Sequence, residues 1–210
     1  MLTLYGTKGS GSAAIEAALA LAGAAYRKVD AATWKPGPGY DELKRVNPLG
    51  QIPALVLEDG AILTESAAIL IHLAHAFPES GLLPAGAGAR AQAIRGLVFI
   101  AANCYAAIGV LDYPERWSTG ADEAQRQRII AGSRSRLHSL WDMFADTFPA
   151  APWLGGERIG ALDLYAAVVS KWDGARKHLA GSRPEFSALL ARIEAEPRVA
   201  GVFARHWPAP

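Results

Sequence analysis

Residues 2–5, Leu-Thr-Leu-Tyr, have the apolar character and brevity of a buried strand, and residues 26–30 alternate with the same period of two. Between them a turn bearing Gly and Ser, residues 6–12, opens an alanine-rich segment with helical character that ends near Gly23. Strand, helix and strand are therefore predicted in that order. Trp34-Lys35-Pro36-Gly37-Pro38-Gly39 is too rich in proline and glycine for a regular element, and a short helix is predicted after it, over 40–47. Two apolar runs, 52–57 and 61–63, flank Glu58-Asp59-Gly60, and Asp-Gly between such runs predicts a hairpin. Thr64 then reads as the N-cap of a helix reaching Phe77, with Ala67, Leu70, Ile71 and Ala74 at helical spacing.

The pattern changes after Phe77. Residues 78–88 hold two Pro and three Gly without periodicity, as a connection between independently packed units does. Beyond it the period is helical in every segment: 90–111, 122–148, 161–174 and 184–196, with Leu137, Leu140, Trp141 and Phe144 forming one apolar stripe. The predicted organisation is an α/β domain over 1–77, a linker over 78–89 and an all-α helical bundle over 90–210. No repeat at periods of twenty to fifty residues argues for a solenoid.

Composition narrows the function classes. In 210 residues, 51% are hydrophobic and 20% charged, which excludes a disordered scaffold. Lys plus Arg number 21 against 20 Asp plus Glu, a formal charge of +1, so neither nucleic acid nor an anionic membrane surface is an expected partner. Cys104 is the only cysteine, and the N-terminus shows no basic leader before an apolar run, so a reducing, cytoplasmic setting is expected. The most apolar stretch, 97–111, is interrupted by Asn103 and Gly109 and reads as too short for a membrane span. His72 and His75 lack further ligands at metal spacing, and no metal site is predicted.

A β-α-β unit followed by a hairpin and a helix is the thioredoxin-like arrangement. The heptapeptide Asn47-Pro48-Leu49-Gly50-Gln51-Ile52-Pro53, then the Asp59-Gly60 hairpin and Leu63-Thr64-Glu65-Ser66-Ala67-Ala68-Ile69, resembles the glutathione-binding half of the glutathione transferase superfamily. Gly155-Gly156-Glu157 and Asp163 resemble that family's buried helix start. The resemblance implies a bacterial-type, cytosolic enzyme of detoxification that uses glutathione as co-substrate against a small electrophilic molecule, commonly as a homodimer. It also implies that Pro53 is held cis, so that the backbone of Ile52 pairs with the ligand's cysteinyl group as a short strand addition, although most X-Pro bonds are trans.

The resemblance further implies binding of the γ-glutamyl end by Glu65 and Ser66 at a helix start, where free N–H groups and the dipole favour a carboxylate, with Gln51 beside them. Lys35, a mobile cation in a loop between two elements, is read either as the partner of the tripeptide's glycine carboxylate or as an exposed, uninvolved lysine. For the thiolate, the turn Gly6-Thr7-Lys8-Gly9-Ser10-Gly11-Ser12 supplies hydroxyl and amide donors; Ser10, read as lying in the exposed part of the turn, is preferred. Ser12 is placed to cap the helix, and Tyr5 reads as wall packing. The absence of cysteine from this turn argues against mixed-disulfide chemistry. Asn103 and Tyr105, on the first bundle helix, are candidate polar walls for the second substrate. Tyr113, Arg116 and Trp117 offer aromatic and cationic surface, or a packed corner. The alternative is a non-catalytic ligand-binding or protein-interaction module on the same fold.

Overall fold

The computed structural model describes residues 1–208; positions 209 and 210, the end of the predicted helical unit, lie outside the described residues. Strand β1 (Leu2–Gly6) is central in a four-stranded sheet of order β2-β1-β3-β4. It runs parallel to β2 (Tyr26–Asp30) and antiparallel to β3 (Ala54–Val56), which pairs antiparallel with β4 (Ile62–Leu63). Helix α1 (Ser12–Ala22) makes the crossover between β1 and β2, α2 (Pro38–Val46) joins β2 to β3, and α3 (Ser66–Ala76) follows the hairpin. This is the expected thioredoxin-like order. Alternation sorts β1 and β3 between two cores: Leu4 and Leu55 face the main cluster with α1 and α3, while Tyr5 and Ala54 join Leu43 of α2 on the other face.

The helical region begins with α4 (Ala87–Phe99), passes through a π-wound turn at 100–105 and continues as α5 (Ala106–Asp112). Asn103 and Gly109 interrupt the apolar run but not the helix predicted over 90–111. Ala87–Asp112 is one helical run of 26 residues, long and apolar enough by composition to cross a membrane. Its position is that of a core helix: Leu97, Ile100, Cys104, Ile108 and Leu111 pack in the main cluster, against α6 (Glu123–Thr147) and α7 (Ala161–Val169). Three further helices complete the layer, α8 (Ala175–Ser182), α9 (Pro184–Ala195) and α10 (Pro197–His206). The hydrophobic pattern anticipates neither α8 nor α10. Pro197 occupies the first turn of α10, where a missing N–H costs nothing.

Two buried carboxylates tie these layers together. Asp163 in the first turn of α7 accepts from the N–H groups of Leu154 (2.8 Å), Gly155 (3.2 Å) and Gly160 (2.9 Å). Burial pushes its pKa up to about 6 against those hydrogen bonds, so it is ionised at neutral pH. Gly160 occupies the cap position where the family resemblance implies Ser or Thr, and close approach is the reason: a Cβ there would lie 2.8 Å from the Leu82 carbonyl, which accepts from Ala161 N–H. The segment after α3 is thereby pinned to α7.

The second carboxylate is Glu16, buried in the middle of α1. Its Oε1 lies 2.6 Å from Lys28 Nζ of β2 and 2.7 Å from His206 Nε2 of α10. Burial alone would raise its pKa, but the hydrogen bonds from His206 and Lys28 outweigh that and hold it at about 2.

Asp163→Ala leaves three sheltered N–H groups without an acceptor and should lower unfolding free energy by about 3 kcal/mol or more in denaturant titrations. For Glu16 the folded pKa lies below the ordinary 4.5, so its contribution is present above that value and is lost as the pH falls towards about 2. The urea midpoint should therefore drop across this window, and Glu16→Gln should flatten the drop; an equally steep drop in that variant would remove Glu16 as its cause.

Candidate functional site

A cleft of about 710 Å³ opens where the N-terminus of α1 meets the helical region. Three loops of the α/β domain form one wall: the turn bearing Gly9, Ser10 and Gly11, the segment Gln51-Ile52-Pro53, and the start of α3 at Thr64, Glu65 and Ser66. The opposite wall is aromatic, with Tyr105, Tyr113, Trp117, Tyr165 and Trp172 around Asp112 and Arg116.

Asn47 shapes the second loop. Its Nδ2 donates to the Gln51 carbonyl (2.9 Å), its Oδ1 accepts from Leu49 N–H (3.2 Å) and its own carbonyl accepts from Gly50 N–H (2.8 Å). The side chain thus closes the turn on itself and delivers Ile52 to the cleft. The Ile52–Pro53 bond is cis, as the resemblance implies, and Ile52 lies outside the β3 register, which stops at Ala54.

At the third loop the structure moves the cap. Glu65, not Thr64, holds the N-cap position, with φ 63° and ψ 108°, and α3 begins at Ser66. A positive φ at a non-glycine residue costs about 1–3 kcal/mol and persists only where the surroundings impose it. Here it turns the chain so that the Glu65 side chain, the buried Ser66 and the first-turn N–H groups share the cleft.

The first loop departs from expectation in one respect. Ser10 lines the cleft but is buried, 7% exposed, and its Oγ donates to the Thr7 carbonyl at 2.8 Å. Ser12 does not cap α1; Gly11 is the cap residue, and Ser12 Oγ lies 2.9 Å from Ser10 Oγ and 3.3 Å from the same Thr7 carbonyl, fully buried behind the cleft wall. The two serines compete for one acceptor. Either can satisfy it and free the other's proton.

Across the cleft, Tyr105 leans over this turn: a Cβ on Gly11 would come within 2.5 Å of its hydroxyl, so only glycine leaves room. Burial, then the charge of Asp112, pushes the Tyr105 pKa up to about 12, which keeps the phenol protonated as a donor. Burial, reinforced by Tyr105, also raises Tyr165, against the neighbouring Ser66 hydroxyl. Arg116 sits over the Tyr113 ring at 3.8 Å, so the corner at 112–117 is both a cation–π contact and cleft wall.

Of the residues singled out from sequence, Ser10, Gln51, Ile52, Pro53, Thr64, Glu65, Ser66, Tyr105, Tyr113, Arg116 and Trp117 meet at this cleft. Lys35 and Asn103 do not line it. Lys35 is exposed beside Trp34, which does line it, and Asn103 turns its amide onto the Phe99 carbonyl of its own helix at 3.1 Å. Tyr5 donates to Glu42 at 2.6 Å in the opposite core, as wall packing requires. Cys104 is buried and its thiol pushed up to about 12 by desolvation, which leaves it unreactive. Among the described residues no group of three or more His, Cys, Asp or Glu is placed to hold a metal. Sequence reasoning missed Trp34, Asp112, Tyr165 and Trp172; the first two adjoin residues it did single out, Lys35 and Tyr113, whereas Tyr165 and Trp172 have no such neighbour.

Fold and site together define a thioredoxin-like sheet and its helices sharing a cleft with a helical layer. The family model described as the N-terminal domain of glutathione S-transferase matches residues 1–75. The chain is 30% identical over 207 residues to the uncharacterised GST-like protein YncG of Escherichia coli K12, covering 98% of each, and 29% identical over 160 residues to the glutathione S-transferase GstA of Escherichia coli O157:H7, covering 76% of this chain and 75% of the other. A solved glutathione transferase homologue from Sulfitobacter, with bound glutathione, superposes with a TM-score of 0.83 at 30% identity over 96% of both chains. The chain belongs to the glutathione transferase superfamily.

Proposed function

We propose that this protein is a glutathione transferase that binds reduced glutathione along the α/β wall of the cleft and directs its thiolate at a small electrophile held against the aromatic wall. The observation that carries this reading is the meeting of Ser10, the cis Ile52–Pro53 pair and the Glu65–Ser66 helix start around one cleft. The tripeptide's γ-glutamyl carboxylate suits the first turn of α3, its α-amino group the Glu65 carboxylate, and its cysteinyl amide the free main chain of Ile52. Gln51 lies beside them. Lys35 is left out of the contacts because its side chain is outside the cleft. The family likeness also supports a homodimer.

A free thiol with pKa near ~8.5 is mostly protonated at neutral pH, so the site must favour the ionised sulfur. Ser10 is the candidate donor. Its hydroxyl can turn from the Thr7 carbonyl to the sulfur while Ser12 takes over that carbonyl, so no buried acceptor is stranded. The proton leaves the thiol for solvent, the sulfur lone pair forms the new bond, and the electrophile's displaced electron pair departs with its leaving group or collects a proton after addition. Protonated Tyr105, on the far side of the turn, is placed to assist that charge.

Calorimetric titration with reduced glutathione and an S-alkylated analogue tests the reading directly, and silence from both would overturn it. Ser66→Ala should weaken glutathione binding by about 1–2 kcal/mol. Ser10→Ala should cut turnover with a general electrophile by about tenfold to a hundredfold while moving glutathione affinity far less; an unchanged turnover would remove Ser10 from this role. Saturable binding with no turnover on any electrophile would favour the ligand-carrying alternative.

A further inference from the structure

The turn that carries Ser10 is held by the other end of the chain. Gly9 N–H donates to His206 Nδ1 at 3.1 Å, across 197 positions of sequence. His206, in the last turn of α10, is 3% exposed, and its other ring nitrogen lies 2.7 Å from Glu16 Oε1. Glu16 is ionised at any ordinary pH and only accepts, so Nε2 carries hydrogen; Gly9 N–H only donates, so Nδ1 carries a lone pair. The two contacts together require the neutral Nε2–H imidazole. A second proton would set two N–H groups against each other at 3.1 Å.

The surroundings decide how that proton is received. Glu16 of α1 attracts it. Lys28 of β2 and Arg205 of α10, 2.6 Å and 3.9 Å from the Glu16 carboxylate, already answer that charge, and the Tyr26 hydroxyl of β2 is 3.3 Å from it. The Trp207 ring, its centroid 5.5 Å from that of the imidazole, lies alongside. Added charge on the imidazole therefore meets a carboxylate that is already compensated, and it breaks the one bond that reaches the turn.

We propose that His206 is a positioning residue for the Gly9–Ser10 turn: as a neutral imidazole it holds Gly9 N–H and with it the Ser10 hydroxyl at the cleft, and on protonation it releases them. The catalytic consequence rests on the reading of the cleft as a glutathione site; the link between imidazole and turn stands apart from it.

Two near-isosteric variants separate the two bonds. His206→Asn places an amide oxygen near the Nδ1 position and reaches Gly9 but not Glu16; His206→Gln places an amide N–H near Nε2 and reaches Glu16 but offers Gly9 nothing. With glutathione and a general electrophile, H206Q should lose about tenfold or more in kcat with glutathione affinity nearly unchanged, whereas H206N should stay within about threefold of the wild type and lose less activity on acidification. Nitrogen NMR of the unaltered protein supplies a readout that needs neither variant nor ligand. At neutral pH the His206 ring should show Nε2 protonated and Nδ1 bare, and the Gly9 amide signal should move as the ring takes up a second proton.

Equal kcat in H206Q and H206N would overturn the proposal. A protonated Nδ1 at neutral pH, or a Gly9 amide indifferent to the titrating ring, would overturn it as well. If the wild type binds no glutathione, the reading of the cleft falls while the NMR result still decides the role of His206.

Discussion

Helix α1 is buried on nearly every side, and most of what surrounds the cleft follows from that. From Ser12 to Leu19 no residue of it reaches solvent, because the sheet and α3 cover one flank while α7 and α10 of the helical region cover another. Such a helix needs small residues to let its neighbours approach, which the Ser-Ala-Ala-Ile-Glu-Ala-Ala-Leu sequence provides. It also leaves its N-terminal N–H groups where the α/β and helical regions face each other across the cleft, so the cleft lies where α1 begins.

The same burial makes Glu16 expensive to misplace. An unpaired carboxylate in this position would be several kcal/mol out of balance, so the lysine of β2 and the histidine of α10 are needed to hold it. That requirement draws the C-terminal helix onto the first helix of the chain, next to the turn that forms the cleft wall. A cost in folding and a contact at the site are thus met by one imidazole.

Much of this was legible in the sequence where the cause is local. The β-α-β-hairpin-helix order follows from periodicity, and the strand at 26–30 has the predicted limits because alternation begins and stops there. The loop ending in Ile52-Pro53 and the helix start near Glu65-Ser66 were legible as motifs; Asn47 closes the first turn locally, whereas the positive φ that shifts the second cap from Thr64 to Glu65 is imposed by its surroundings and leaves no mark in the sequence. Where the outcome depends on which way a side chain turns, or on a distant partner, the sequence was silent or misleading. Ser10 reads as exposed because a turn pattern does not give side-chain direction, yet Ser12 and the Thr7 carbonyl hold its hydroxyl from behind. Asn103 reads as a polar group facing a pocket, yet the π-wound turn directs it along its own helix. Glu16 and His206 lie 190 positions apart, and neither hints at the other.

The aromatic wall extends the argument to the second substrate. Tyr105 approaches Gly11 so closely that the turn and the first helical element cannot move independently: any shift of the turn toward the helical region meets the phenol. Tyr105 in turn stacks with Tyr165 at 6.4 Å between ring centroids and packs with Trp172 at 5.9 Å, and Trp172 meets Trp207 at 6.4 Å beside His206. The turn at Gly9–Gly11 is therefore bounded by its hydrogen bond to His206 of α10 on one side and by an aromatic chain ending beside α10 on the other. A change in how the aromatic wall packs therefore bears on the same few atoms of Gly9, Ser10 and Gly11 that line the cleft from the other side.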